Sequence, residues 1–333
     1  SNLSFFNINY TFSTKIKNFT LSDIDISGGT IDSLVEHDNN IFKSTFTPSI
    51  TSGQLSLNIQ QGTCNDANNN NPNAASQPTG GFLINYDISR PSMDISSSIA
   101  SGSSSNDLYV TLYFIASEDI ASFDFDKIIH TNCVLGGQRQ IDLRTFRVIA
   151  QPINNNQVSI QLPEGVCMDA GGNTNTASSV FEWTFDTTAV FFNIQNIPDP
   201  LTDDTDIYLS SNLDGKSSQR ILYFSIESND TLQSALTEND LSFTNIEIVP
   251  GTFTQDSINS NKFTVAVETL FEGVNTTFFI PANVVNDLAG NDNIESTVYN
   301  WIYDSSPPII TIRSPDISSG DTTNNESITL YFD

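Results

Sequence analysis

The chain has 333 residues, with 39 Asp and Glu against 12 Lys and Arg, a formal charge of -27. So acidic a surface repels phosphate backbones and anionic lipid, which argues against nucleic-acid partners and membrane insertion. With 38% hydrophobic residues, 23 Phe and only 15% charged residues, the composition is that of a folded chain long enough for two or three domains.

Ser1 stands where a start Met would and reads as a processed boundary; no signal-peptide pattern opens the chain. No apolar run reaches the roughly 18 residues of a membrane-spanning helix. The first segment, 1–87, begins with Phe6, Ile8, Tyr10 and Phe12 alternating with Asn7, Asn9 and Thr11, the period-two mark of a half-buried strand. Phe42, Ser44 and Phe46 and then Leu55, Leu57 and Ile59 repeat the pattern, with the Gly28-Gly29 pair between strands as a turn. The segment closes on Thr63-Cys64-Asn65-Asp66-Ala67, an Asn-rich stretch, and an aromatic strand from Phe82 to Asp87.

The second segment, 88–186, opens with a strand that has no counterpart in the first, from Arg90-Pro91 to Ile95. It then runs through the same phrases: Val110, Leu112 and Phe114; Phe146, Val148 and Ala150; Val158, Ile160 and Leu162; Val166-Cys167-Met168-Asp169-Ala170; and Phe181 to Asp186. The third, 187–304, opens at Ala189 to Ile194, adds an acidic stretch with Asp199, Asp203, Asp204 and Asp206, and repeats Leu222, Phe224 and Ile226. Phe263, Val265 and Val267, then Thr276, Phe278 and Ile280, lead to Asp287-Leu288-Ala289-Gly290-Asn291 and a last strand from Tyr299 to Asp304. Residues 305–333 supply a first strand (Ser306-Pro307-Pro308 onward) and a second at Ile328 to Phe332.

A repeat of about 100 residues with turn signals between short alternating strands is the size of one β-sandwich. The expected fold is therefore all-β: antiparallel sandwiches of about seven strands arranged as a rod. The expected domains are 1–87 without its first strand, 88–186, 187–304, and 305–333 as the opening of a further one. Two readings of the ends stay open. Residues 1–333 are a window on a longer array, or the tail (Pro307, Ile309, Ile310 and Ile312) donates a strand to the headless unit of another copy.

The Asp304…Pro307-Pro308 junction, the phrase Phe19-Thr20-Leu21-Ser22-Asp23 running on to Gly28-Gly29, and the Asp287 to Asn291 turn resemble the tandem bacterial Ig-like domains of large surface adhesins and fibres. The first two repeats depart from the Asp-x-x-Gly-Asn form at Asp66 to Asn70 and at Asp169 to Asn173. The resemblance implies immunoglobulin-like sandwiches, an extracellular or cell-surface setting, and projection or binding rather than catalysis. It also implies calcium between domains.

The acids point the same way. In a head-to-tail rod the Asp ending each last strand meets the acidic turns of the next unit: Asp87 approaches Asp169 with Asp124 or Asp126, and Asp186 approaches Asp287 with Glu238 or Asp240. Convergent carboxylates suit Ca²⁺. The competing reading is that each turn Asp binds its own backbone. Sequons for N-glycans fall at Asn2, Asn9, Asn18, Asn229, Asn275 and Asn325, about as many as chance supplies in so Asn- and Thr-rich a chain.

No catalytic constellation emerges. The histidines are His37 and His130, and alternation puts His130 and Cys133 on opposite strand faces. Cys64, Cys133 and Cys167 are too few for a disulfide scaffold, and Val285 at the place of Cys64 and Cys167 marks an apolar core position. The expected function is structural: a protomer or segment of an extracellular filament or stalk, its partners copies of itself or adjoining repeats, with a surface ligand or glycans as further partners. The alternative is an adhesin rod presenting a binding domain outside this window.

Overall fold

The computed structural model describes residues 4–38, 40–78, 80–198 and 215–332. The sequon at Asn2 and the acidic stretch 199–206 lie outside them. The described residues contain strands, turns and 3-10 segments of three residues, and no α-helix. None of their helices could cross a membrane. The chain divides into two compact units, residues 1–186 and 187–333.

The first unit holds two sandwiches, each around its own apolar core. In the first, the strands Phe6–Thr11, Ile41–Pro48 and Gly29–Asp38 form one sheet, and Ile24–Ser27, Ser52–Ile59 and Phe82–Asp87 form the other. Alternation sends Tyr10, Phe42, Phe46, Leu55, Leu57 and Ile59 inward, where all are buried. Edge-to-face aromatic pairs tie Phe19 to Tyr10, Phe12 and Phe42 at 5.1–5.8 Å between ring centres.

The second sandwich adds a strand to each sheet. Met93–Ser97 lies antiparallel on Val110–Ala116, and Ser104–Ser105 lies parallel on Phe181–Phe185. The second unit repeats both features, with Phe192–Ile197 on Ile221–Ser228 and Lys216–Ser217 parallel to Tyr299–Tyr303. Apart from these two-residue parallel pairings, the strands of the sandwiches pair antiparallel, as expected. The chain crosses from one sheet to the other before its second strand, so it meets the last strand running in the same direction.

Register makes the repeats superimposable. Tyr10 faces Phe42, Phe114 faces Phe146, and Ile226 faces Phe263. Each sandwich carries the three strand phrases read from the sequence, with Val158, Ile160, Leu162, Thr276, Phe278 and Ile280 at most 1% exposed. The two tryptophans also correspond, with one difference. The Trp301 indole N–H donates to Thr269 Oγ1 at 3.2 Å, whereas Trp183 Nε1 is buried without a partner. Register places Pro152 where Thr269 stands, so the hydroxyl is missing there.

Cys64, Cys133 and Cys167 are buried free thiols. Burial pushes Cys133 and Cys167 up to about 11, with the Asp169 charge adding to Cys167. Thiolate is the reactive form, so native protein is expected to resist aromatic disulfide reagents at mildly alkaline pH and to react fully once unfolded. Rapid labelling of the native chain would contradict the buried assignment.

Candidate functional site

The Asp-rich turn before each last strand is built around its own carboxylate. Asp169 Oδ1 accepts the Asn173 N–H at 2.8 Å while Oδ2 accepts Asn173 Nδ2 at 2.9 Å. Asp287 does the same with Asn291 at 2.9 Å for both, and also takes the Ala289 N–H. Asp66 accepts the Asn68 N–H at 2.7 Å, and these backbone bonds pull its carboxyl below the ordinary range. Asp169 and Asp287 are 3% and 1% exposed, which the dense local bonding compensates.

A second residue holds the stretch that follows. Asn175 Oδ1 accepts the N–H groups of Val166 and Cys167, and its amide donates to the carbonyls of Pro163 and Thr176, all at 2.8 Å. Asn293 makes the same four bonds to Val284, Val285, Pro281 and Ile294. Asn73 makes three of them, to Cys64, Gln60 and Ala74. The sequence reading missed these residues because they hide in an Asn-rich run. Their constant distance, eight or nine residues after the apolar position they clamp, was the available signal.

Inside the first unit the last strand of the first sandwich ends at this turn of the second. The Asp87 carbonyl accepts Asn173 Nδ2 at 3.1 Å, and Asp87 Oδ1 accepts the Ser89 N–H at 2.9 Å. Gly171 lets the backbones approach, since a Cβ there would stand 3.2 Å from both Asp87 Cβ and Asp169 Oδ1. Arg90 ties the junction down, reaching Thr174 and Asn175 carbonyls at 2.9 and 2.8 Å and Glu164 at 2.6 Å.

Asp87, Glu118 and Asp169 here bring carboxylate oxygens within 4.8 Å of one another. Glu118 is held above the ordinary carboxyl range, first by burial and then by the charges of Asp87 and Asp169. An oxygen-only set of this kind could hold a hard divalent cation. Within the second unit, Asp230 and Asp287 likewise place oxygens within 4.8 Å.

The structure thus joins Asp87 to Asp169 and adds Glu118, which the sequence reading did not single out. Glu118 stands two residues after its strand ends at Ala116, as Asp230 follows Ser228; Thr14 corresponds in the first sandwich. Asp124 and Asp126 are not in the cluster. Asp124 accepts the Asp126 N–H and lies 3.5 Å from Lys127 across a 3-10 turn. Glu238 and Asp240 sit in the corresponding turn, where Asp240 Oδ2 accepts from Thr237 N and Oγ1 at 2.8 and 2.7 Å. Asp186 accepts from Asn155 Nδ2 at 3.2 Å. Asp304 pairs with Lys216 at 2.9 Å, which draws its carboxyl down.

Asn9, Asn18, Asn229, Asn275 and Asn325 are exposed. Asn229 is already used, its Oδ1 accepting the Phe191 N–H at 2.7 Å. His130 is exposed in the strand Ile129–Thr131 and Cys133 is buried in the next strand, Cys133–Gln140, which belongs to the other sheet; contrary to expectation, the two do not share a strand.

Residues 3–80 match the family described as bacterial Ig-like domain. That match spans the first sandwich. The described chain is a succession of β-sandwiches, of which the first carries the match. Solved structures similar to it include FdeC, titled a novel broadly conserved Escherichia coli adhesin, at 8% identity over 86% of this chain and 87% of that one, TM-score 0.38. Invasin, titled a bacterial integrin-binding protein, is 9% identical over 94% of this chain and 62% of its own, TM-score 0.32. The I9–I11 tandem of titin is 6% identical over 90% and 92%, TM-score 0.24. These likenesses concern the fold alone. No curated protein matches the chain.

Proposed function

We propose that these Ig-like domains form part of a cell-surface stalk of the adhesin kind, which holds a binding domain lying outside residues 1–333 away from the surface. The observation that carries this reading is the joint in the first unit. The last strand of one domain runs into the Asp169 to Asn173 turn of the next, with Asn173 bonded to the Asp87 carbonyl at 3.1 Å. A domain boundary closed by packed backbone and an arginine clamp transmits position along the chain, where a free linker would not. The acidic, Ser/Thr/Asn-rich surface suits an exposed, soluble projection.

Protease added to intact source cells should release the chain. Protection until lysis would end the surface reading.

Calcium at Asp87, Glu118 and Asp169 belongs to the same proposal, as the ion that relieves three converging charges and stiffens the joint. Within the second unit, Asp230 and Asp287 stand at the repeat positions of Glu118 and Asp169. Because the folded pKa of Glu118 stands above its unfolded value, its contribution is complete below the unfolded value and is lost as pH rises through the folded one. In chelator, the second-sandwich transition should therefore fall as pH rises above about 4.3. Glu118→Gln should raise its melting temperature at neutral pH in chelator and abolish the rise that calcium gives the parent chain. Calorimetry showing no calcium shift in the parent would return these acids to a purely structural role.

A further inference from the structure

The outer face of one sheet in the second sandwich carries a row of side chains that core packing does not account for. Pairing sets Ser96, Tyr113, Arg147 and Arg139 side by side across the strands Met93–Ser97, Val110–Ala116, Thr145–Pro152 and Cys133–Gln140. Leu112, Phe114, Phe146 and Val148 between them point into the core, so alternation turns the row outward. Tyr113 and Arg139 are exposed and Arg147 is half-buried.

A β-bulge puts Arg139 in the row. Gly136 pairs with Ile149, and uninterrupted pairing would then set Gln138 opposite Arg147; one extra residue brings Arg139 to that place instead. Gly137 turns the chain there at φ +59°, and a Cβ on it would stand 2.9 Å from the Ile149 side chain. The Gly137 carbonyl accepts from Arg147 Nη2 at 3.3 Å, which holds that guanidinium over the face.

The result is two like charges directly opposite each other, which destabilises a sheet. The sister sandwiches avoid it. At the same ladder position the third has Thr254 and Thr264, hydroxyl to hydroxyl at 2.9 Å, and the first has Val35 opposite Lys43. The chain holds 39 acidic residues against 12 basic ones, yet among the described residues neither Arg139 nor Arg147 has an ion pair. Arg147 Nε is also buried with no acceptor. A carboxylate from outside would answer each point. It offsets both charges, takes the fork of a guanidinium in bidentate fashion, and gives Nε an acceptor once the group turns outward.

The surroundings select what carries that carboxylate. A polypeptide docks most readily in a groove or along a strand edge, whereas this row lies on the flat of a sheet. A sugar ring has an apolar C–H face and a rim of hydroxyls. Tyr113 offers a flat ring to the first, with the Ser96 hydroxyl across the ladder and Thr111 two residues along for the second. From Tyr113 to Arg139 the row covers two strand spacings, about 10 Å, enough for more than one ring.

We propose that this face binds a uronate-bearing polysaccharide, with Tyr113 under a sugar ring and Arg147 and Arg139 on the carboxylates. The site goes beyond the stalk reading, which assigns recognition to a domain outside residues 1–333. The two fail separately, since release of the chain from cells tests one and saccharide binding the other.

The test titrates polygalacturonate and alginate into the 333-residue chain by calorimetry, at low salt and in chelator. Chelator keeps calcium from bridging the polymer to Asp87, Glu118 and Asp169. A chain of charge -27 repels both polymers as a whole, so saturable binding reports a local site. At least one polymer should bind, and its esterified form should bind at least about tenfold more weakly, the loss of charge-assisted hydrogen bonds. Arg139→Thr with Arg147→Thr copies the pair of the third sandwich, so it should fold with a Trp183 transition no lower than the parent's while binding at least about tenfold more weakly. Tyr113→Ala should weaken binding about threefold or more. No saturable binding to either polymer, equal binding of the esterified form, or a threonine pair that binds like the parent would overturn the proposal. Poly-glutamate bound as tightly as the uronates would overturn it too, and would assign the face to an acidic polypeptide.

Discussion

Asn175→Ala is expected to destabilise the first unit by about 2–4 kcal/mol, the summed loss of four neutral hydrogen bonds with two buried N–H groups left unmet. Asn175 is 0% exposed, so water cannot replace what is removed. The amide simultaneously accepts from Val166 and Cys167 and donates to Pro163 and Thr176. Asp at this position keeps the acceptor but loses both donors, and sets a carboxylate against two carbonyl oxygens. It should be no better than Ala. Urea unfolding followed by Trp183 fluorescence measures the change, because Trp183 lies in the same sandwich. A loss below about 1 kcal/mol would mean the loop keeps its shape without the clamp.

Phe224→Ala should cost the second unit about 3–5 kcal/mol, the usual range for truncating a fully buried Phe. Its ring stacks on Phe278 at 5.0 Å, meets Tyr299 edge-on at 4.9 Å, and lies 5.8 Å from Trp301. Those neighbours belong to the opposite sheet, so the cavity opens between the two sheets where backbone collapse is most restricted. Trp301 fluorescence should report an earlier transition while the Trp183 transition stays in place, since the two tryptophans occupy separate cores. Movement of both together would show that the cores unfold as one cooperative body.

Much of the fold was legible because strand alternation is a local property. Phe42, Phe146 and Phe263, or Leu57, Ile160 and Phe278, declare themselves by period two and by recurrence, and the structure places each set at one position of a repeated sandwich. The parallel pairing of Ser104–Ser105 was not legible, because two small polar residues carry no alternation and their partner is far along the chain.

The candidate site divides in the same way. Asp87 and Asp169 were visible as the recurring ends of a phrase. Which acids stand beside them depends on how the ends of distant strands align, and that placed Glu118 in the cluster and Asp124 in a turn of its own.

By itself, then, the sequence determined the sandwich class, the repeat and the residues that face each core, since short-range periodicity decides which side of a strand meets water. The tertiary structure alone decided which carboxylates converge and which asparagine holds each turn. Each of those depends on contacts between residues dozens of positions apart, and no local pattern encodes such contacts.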